Sequence, residues 1–377
     1  MHSERVAERI RHAIDKAGGS IGFAEFMQLA LYAPGLGYYS AGAAKFGAGG
    51  DFITAPEVSP LFARVLARQC APVLQALPER RILELGAGSG ALAAELLRCL
   101  PRHGVELTRY SILEVSPDLR QRQQILLRQA VPELQSAVEW LDDLPDAFSG
   151  VVIANEVADA LPVERFQRSG DDILQYRVTA DGDEFSWLRA RAPAFLERAV
   201  LHIEDTLGAS LPHGYVSEVS TGVAAWIGDI AARIRQGFVF LFDYGVTRRE
   251  YYAAERNDGW LRCHFRHHAH NDPLIFPGIQ DLSSWVDFTA VAEGAAGAGM
   301  DIAGFVTQAQ FLLHGGLEAE LAAFPRQGAA AQLEFSREVK TLTLPGEMGE
   351  HFKCLGLSKD FGLMPAPFAA SDRAHTL

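Results

Sequence analysis

Along the first 80 positions apolar residues recur at helical spacing. Between Glu4 and Ala17 they fall at Val6, Ala7, Ile10, Ala13, Ile14 and Ala17, one stripe of an amphipathic helix. Phe23, Phe26, Met27 and Ala30 continue the period, with Ser20 expected as the cap of a second helix. A turn is expected over residues 34–39, and another helix over 60–76. After Arg81 short apolar runs alternate with helical stretches. Strands are expected at 82–85, 109–114, 137–140 and 150–154, with helices at 91–100 and 117–130 between them. That order predicts a parallel sheet with right-handed crossovers. Residues 175–178 and 184–188, around Asp181-Gly182, predict a hairpin inserted after the fourth strand. Residues 237–243 are almost wholly apolar, as in a strand buried on both faces. Residues 244–284 are rich in His, Pro and Asp and show no period, so a long irregular segment is expected there. A helix at 289–298 and strands at 301–306 and 351–357 complete the pattern.

Composition narrows the class. The 377 residues are 48% hydrophobic and 21% charged, as in a globular protein with a substantial core. The formal net charge of -13 argues against nucleic acid as the main partner and suits a basic peptide better. Cys70, Cys99, Cys263 and Cys354 are far apart and form no C-x-x-C, the pattern of reduced thiols in a cytoplasmic compartment. The first 18 residues are charged throughout with no apolar core, so no secretory signal is expected, and no run approaches the roughly 18 apolar residues of a membrane span.

The chemistry begins at Ile82-Leu83-Glu84-Leu85-Gly86-Ala87-Gly88-Ser89-Gly90. An apolar run, an acid and three alternate glycines describe a strand turning sharply into a helix, where a ligand can approach the backbone. Glu114 ends the next expected strand, placed to accept hydrogen bonds from both ribose hydroxyls of a nucleoside. A dinucleotide site is the rival reading, since Gly86, Gly88 and Ala91 satisfy G-x-G-x-x-G/A. Glu84 argues against it: a carboxylate repels a pyrophosphate but attracts the ammonium and sulfonium of S-adenosylmethionine. An ordinary strand-to-helix turn is the third reading.

The fourth strand ends in Asn155-Glu156-Val157-Ala158-Asp159-Ala160-Leu161-Pro162, whose polar groups should face the ligand crevice. If the chain turns helical there, Glu156 and Asp159 share a face at i,i+3 and can hold a guanidinium by charge-assisted hydrogen bonds. Alternatively, Asn155 caps a short helix with acids in its first turn. Asp51 to Glu57 is either a capping turn before the helix at 60–76 or part of a lid, with Gly47, Gly49 and Gly50 as its hinges. Asp243-Tyr244-Gly245 should reach the crevice, as a strand-ending turn or as part of the site. Between Cys263 and Asp272 four histidines cluster, but at no standard zinc spacing, so no metal site is expected.

Taken together these segments resemble one family, the MidA-like class I methyltransferases, whose mitochondrial members act as complex I assembly factors. The matching pieces are Gly37-Tyr38-Tyr39, the Gly50–Glu57 and Glu84–Gly90 segments, Glu114, Asn155-Glu156 with Asp159 to Pro162, and Asp243-Tyr244-Gly245. Pro277-Gly278, Asp281-Leu282, Val286-Asp287-Phe288 and Gln308 follow, so the likeness spans nearly the whole chain. It implies an α/β fold: a Rossmann-like class I methyltransferase sheet with a helical N-terminal cap and lid (1–79) and a methyltransferase domain (80–377). That domain is expected to carry an insertion around 163–213 and the long loop 244–284. The resemblance implies S-adenosylmethionine as cofactor and methylation of a protein arginine, with a complex I subunit as the partner in mitochondria. Lacking an Arg- and Ser-rich presequence, the chain has the pattern of a bacterial member. Glu156, Asp159 and Glu57 are the expected catalytic acids. Glu84, Gly86, Gly88, Gly90, Glu114 and Asn155 are the expected cofactor contacts, with Asp142 and Asp143 expected to approach the adenine. A non-catalytic assembly factor that binds the same cofactor is the alternative.

Overall fold

The computed structural model describes residues 2–41, 53–265, 268–323 and 328–377. Its main sheet contains β1 (Arg81–Leu85), β2 (Arg109–Leu113), β3 (Val138–Leu141), β4 (Phe148–Asn155), β5 (Ile234–Val246), β6 (Asp301–Thr307) and β7 (Phe352–Lys359). In space the order is β3-β2-β1-β4-β5-β7-β6. The first five are parallel, and β7 runs antiparallel to both neighbours. Val286–Asp287 adds a short parallel pairing at the end of β5. The sheet order reverses between β1 and β4, so the carboxyl ends of these strands frame a crevice.

Apolar runs make the central strands. In β5, Phe238 to Phe242 are all 0–1% exposed, the burial on both faces that its sequence predicts. One face packs on the helices Pro60–Ala76 and Ala91–Cys99, where Phe62 meets Phe242 edge-on at 5.0 Å. The other packs on the helices Val223–Arg233 and Phe288–Gly297. Burial of each such large side chain stabilises the fold by about 1.5–3 kcal/mol.

The insertion after β4 is a second, antiparallel sheet. Its strands are Glu164–Ser169, Asp172–Asp181, Glu184–Arg191 and Val216–Val219, with the helix Ala194–Leu207 between the last two. Two residues from the start of the chain, Ile21–Gly22, pair with Asp172–Asp181. Ser20 therefore does not cap the second helix. Gly22 occupies that position, and Ser20 accepts hydrogen bonds from Arg177 at 2.9 and 2.6 Å. The expected 1–79 cap divides: the helices His2–Lys16 and Phe23–Tyr32 share a core with the inserted sheet, whereas Pro60–Ala76 belongs to the main sheet.

The segment 244–284 is not irregular. It holds the helix Arg248–Tyr251 and a three-stranded sheet of Leu261–Phe265, His268–His270 and Asp281–Ser284. These strands are three to five residues long and interrupted by Pro and Asp, too short to leave a period in the sequence. Among the described residues, no helix is long and apolar enough to cross a membrane, and no cluster of three or more His, Cys, Asp or Glu is arranged to hold a metal.

Candidate active site

A cleft of about 1120 Å³ opens at the carboxyl ends of β1, β2, β4 and β5. The turn after β1 forms its floor. Gly86, Gly88 and Gly90 take φ of 63°, 52° and 86°, a region closed to most side chains. Added Cβ atoms at Gly86 and Gly90 would meet Val157 at 3.2 Å and Gln123 at 3.3 Å. Gly90 caps the helix Ala91–Cys99 in this left-handed conformation.

Two acids flank the turn. Glu84 is 2% exposed and accepts a hydrogen bond from the Tyr110 hydroxyl at 2.6 Å. Burial pushes its pKa up to about 7, against the lowering effect of that hydroxyl. Glu114 accepts from the Ser116 amide at 2.9 Å and from Gln123 Nε2 at 3.0 Å. The same Gln123 Nε2 donates to the Gly88 carbonyl at 2.9 Å, while its Oε1 accepts from Trp140 Nε1 at 3.0 Å. Gln123 is fully buried and ties the glycine turn to the acid of β2, a role its polar side chain on a helix gave no sign of in the sequence. Val115, Leu119 and Leu144 supply apolar lining beyond it. Asp142 and Asp143, expected near the adenine, do not line the cleft. Both are exposed, and Asp142 pairs with Arg120 at 2.9 Å, leaving Leu144 as the lining residue after β3.

The chain does not turn helical after β4, contrary to the i,i+3 expectation. Glu156 takes φ of 55°, and its amide donates to the Phe242 carbonyl of β5 at 2.9 Å. The Asp243 carboxylate accepts the amides of Ala158 and Asp159 at 2.9 and 3.2 Å, groups a helix would have turned elsewhere, and that of Tyr244 at 2.9 Å. Asp243 thus shapes the backbone that presents Glu156 and Asp159, and its buried carboxyl has a raised pKa from desolvation and the two neighbouring acids. Glu156 and Asp159 nevertheless line one cleft. Glu156 Oε1 accepts from Asn155 Nδ2 at 3.1 Å and the Ala55 amide at 3.4 Å, and Asp159 accepts from the Tyr244 hydroxyl. Burial pushes Glu156 up to about 8 and Asp159 up to about 6, with the charge of Asp159 adding to the effect on Glu156.

Glu57 also lines the cleft, but its carboxylate closes a capping box by accepting the Thr54 amide at 3.2 Å. Gly47, Gly49, Gly50 and Asp51, and with them the expected lid hinge, lie outside the described residues. Of the histidine-rich stretch, His264 lines the cleft, and His267 lies outside the described residues. Tyr32, Tyr39, Tyr244 and Asp281, none of which carries an individual role in the sequence reading, all line the cleft.

The donor set fits a cationic nucleoside. Among the described residues no ion pair reaches Glu84, Glu156 or Asp159. Asn155 Oδ1 is buried in the cleft with no hydrogen-bond donor, an acceptor of the kind an ammonium takes up. A glycine turn and two acids at the switch point of a β3-β2-β1-β4-β5-β7-β6 sheet define a class I S-adenosylmethionine-dependent methyltransferase. The chain belongs to the MidA-like family, whose model, described as "Putative S-adenosyl-L-methionine-dependent methyltransferase", matches residues 65–306. A Burkholderia thailandensis protein solved with S-adenosyl-homocysteine is 41% identical, with a TM-score of 0.94, over 100% of this chain and 97% of that one. The mitochondrial protein arginine methyltransferase NDUFAF7 of Danio rerio is 29% identical over 91% of this chain and 85% of its own length. The Drosophila melanogaster homologue is 29% identical over 90% and 82%.

Proposed function

We propose that this protein methylates the guanidinium of an arginine in a protein partner, with Glu156 and Asp159 holding the guanidinium. The observation that carries the proposal is the pair itself: buried Asp159 and half-buried Glu156, neither in an ion pair among the described residues, lining the same cleft as the glycine turn. Glu84, Glu114, Asn155 and the backbone of Gly86, Gly88 and Gly90 would hold the cofactor, which supplies a sulfonium-bound methyl. The residues opposite have a different task. Arginine stays protonated in water, so its charge must be drawn to one side for the other nitrogen to attack. Glu156 and Asp159 do this by accepting its N–H groups, a charge-assisted contact strengthened by burial. Glu57 adds a third negative group beside Glu156. The arginine methyltransferase names of the relatives support the substrate class. A complex I subunit is the partner that the family resemblance proposes.

The test follows methyl incorporation into proteins from a strain lacking the gene, with wild type, Glu156→Gln and Asp159→Asn. Each amide should hold S-adenosylhomocysteine within a few-fold of wild type yet lose transfer by roughly 100-fold, as loss of a transition-state electrostatic partner does elsewhere. Equal transfer by all three would make the acids structural. No transfer by any of them, with full complementation of the deletion, would favour a binding factor.

A further inference from the structure

Beside the Glu156 loop, the strand Asp281–Ser284 brings Asp281 to the cleft and is bonded to that loop, since the Ser284 amide donates to the Asp159 carbonyl at 3.0 Å. Asp281 is 3% exposed, lines the cleft and accepts a hydrogen bond from the Tyr39 hydroxyl at 2.9 Å. Asp159 is held in the same way by the Tyr244 hydroxyl. Two carboxylates, each steadied by a tyrosine from a different part of the chain, thus border one space. Tyr39 stacks on Tyr32 with ring centroids 5.6 Å apart and planes 24° apart, and both rings line the cleft. The Tyr32 hydroxyl donates to the Ala160 carbonyl at 2.9 Å, anchoring the stack to the Asp159 loop.

We infer that Asp281 is the second arm of the substrate cradle, and that Asp281, Asp159 and the Tyr32–Tyr39 stack together select a planar guanidinium over an ammonium. This rests on the arginine reading above and names the residues that set its specificity. A guanidinium is a flat fork with five donors, able to meet carboxylates on two edges while lying against aromatic rings. An ammonium is a compact point charge with three donors and reaches only one such arrangement at a time. Two acids from separate segments, lining one cleft with a stacked pair of rings, match the fork. Tyr39 is a positioning residue here, acting through Asp281. The acid itself is supplied by the segment 244–284.

The experiment uses the full chain saturated with S-adenosylhomocysteine and titrates in N-acetyl-arginine amide or N-acetyl-lysine amide by calorimetry. Wild type should bind the arginine compound at least tenfold more tightly than the lysine one. Asp281→Asn should weaken arginine binding tenfold or more and shrink that preference, while S-adenosylhomocysteine affinity stays within twofold, which also reports an intact fold. Tyr39→Phe, which removes only the hydroxyl holding Asp281, should weaken it several-fold. If wild type binds the arginine compound and both variants bind it equally well with the preference intact, Asp281 is no part of the cradle and this inference falls alone. If wild type binds neither compound or prefers lysine, the arginine reading falls and takes this inference with it.

Discussion

Glu84 shows how one residue sets folding against binding. Its only side-chain hydrogen bond among the described contacts comes from Tyr110, and burial lifts its pKa from 4.5 to about 7. The sign follows from proton counting. Between pH 4.5 and 7 the folded chain keeps a proton that the unfolded chain has lost, so stability falls as pH rises through that window. Above it the full penalty applies, of the order of 3 kcal/mol at 1.4 kcal/mol per pH unit. A bound cation opposes this by favouring the ionised form. Glu84→Gln should therefore raise the melting temperature of the ligand-free protein at pH 8 while weakening S-adenosylmethionine binding tenfold or more. Thermal melts and calorimetry on the same preparations check both halves, and unchanged affinity would remove Glu84 from the cofactor site. Glu84 and Glu114 were legible in the sequence because each ends an apolar run, where a strand meets its crevice. Tyr244 was expected at the crevice, but the pairings of Tyr39 with Asp281 and of Tyr244 with Asp159 span 242 and 85 residues, and the bond from Gln123 to Gly88 spans 35, separations that no local spacing records. Glu156 was legible as a site residue but not in its backbone: φ of 55° depends on Asp243 and Phe242, residues of another strand.

At the scale of elements, legibility followed burial. The central strands of the main sheet are apolar because both faces are covered, and the expected limits of its strands fall within about two or three residues of the observed ones. The helix Ala329–Thr343 left no such trace, since only Phe335 and Leu342 of it are buried, yet Glu334, Arg337, Glu338 and Thr341 bring it to the cleft. The short strands between 261 and 284 were hidden for the same reason. The helix Pro117–Ala130 was plain as a helix, but not in its function of bracing the site through Gln123. Gln123→Leu keeps the volume and deletes three hydrogen bonds, stranding the Gly88 carbonyl, one Glu114 oxygen contact and the Trp140 indole N–H. Each buried polar group left unpaired costs about 1–3 kcal/mol. The expected result is a lower melting temperature and a fall of at least tenfold in S-adenosylhomocysteine affinity by calorimetry. A fall in melting temperature with full affinity would mean that Gln123 braces the fold and not the cofactor turn.

For the whole molecule, the main sheet and the three-stranded sheet of residues 261–284 both border a cleft lined by acids, in a protein of formal net charge -13. Such a field draws in cationic partners and raises their association rate, with an effect that fades as salt shortens the Debye length below about 10 Å. Inside the cleft the charge depends on pH, because desolvation raises the pKa of Glu156 to about 8 and that of Asp159 to about 6. A protonated carboxyl neither attracts a guanidinium nor accepts all its donors. Under the proposed function, capture of the substrate requires these groups to lose their protons, and kcat/KM reports the titration of the free enzyme. With the partner protein as substrate and S-adenosylmethionine saturating, kcat/KM should fall as pH is lowered through about 8 and fall more steeply below 6. Glu156→Gln should be slower throughout and should lose the inflection near 8 while keeping the one near 6. Raising salt from about 0.05 to 0.5 M should depress kcat/KM more than kcat, since it screens the encounter more than the buried contact. A profile that is flat from pH 6 to 9 in wild type, or an inflection near 8 that survives in Glu156→Gln, would mean that Glu156 does not meet the substrate in its ionised form, and the proposed catalytic pair would have to be given up.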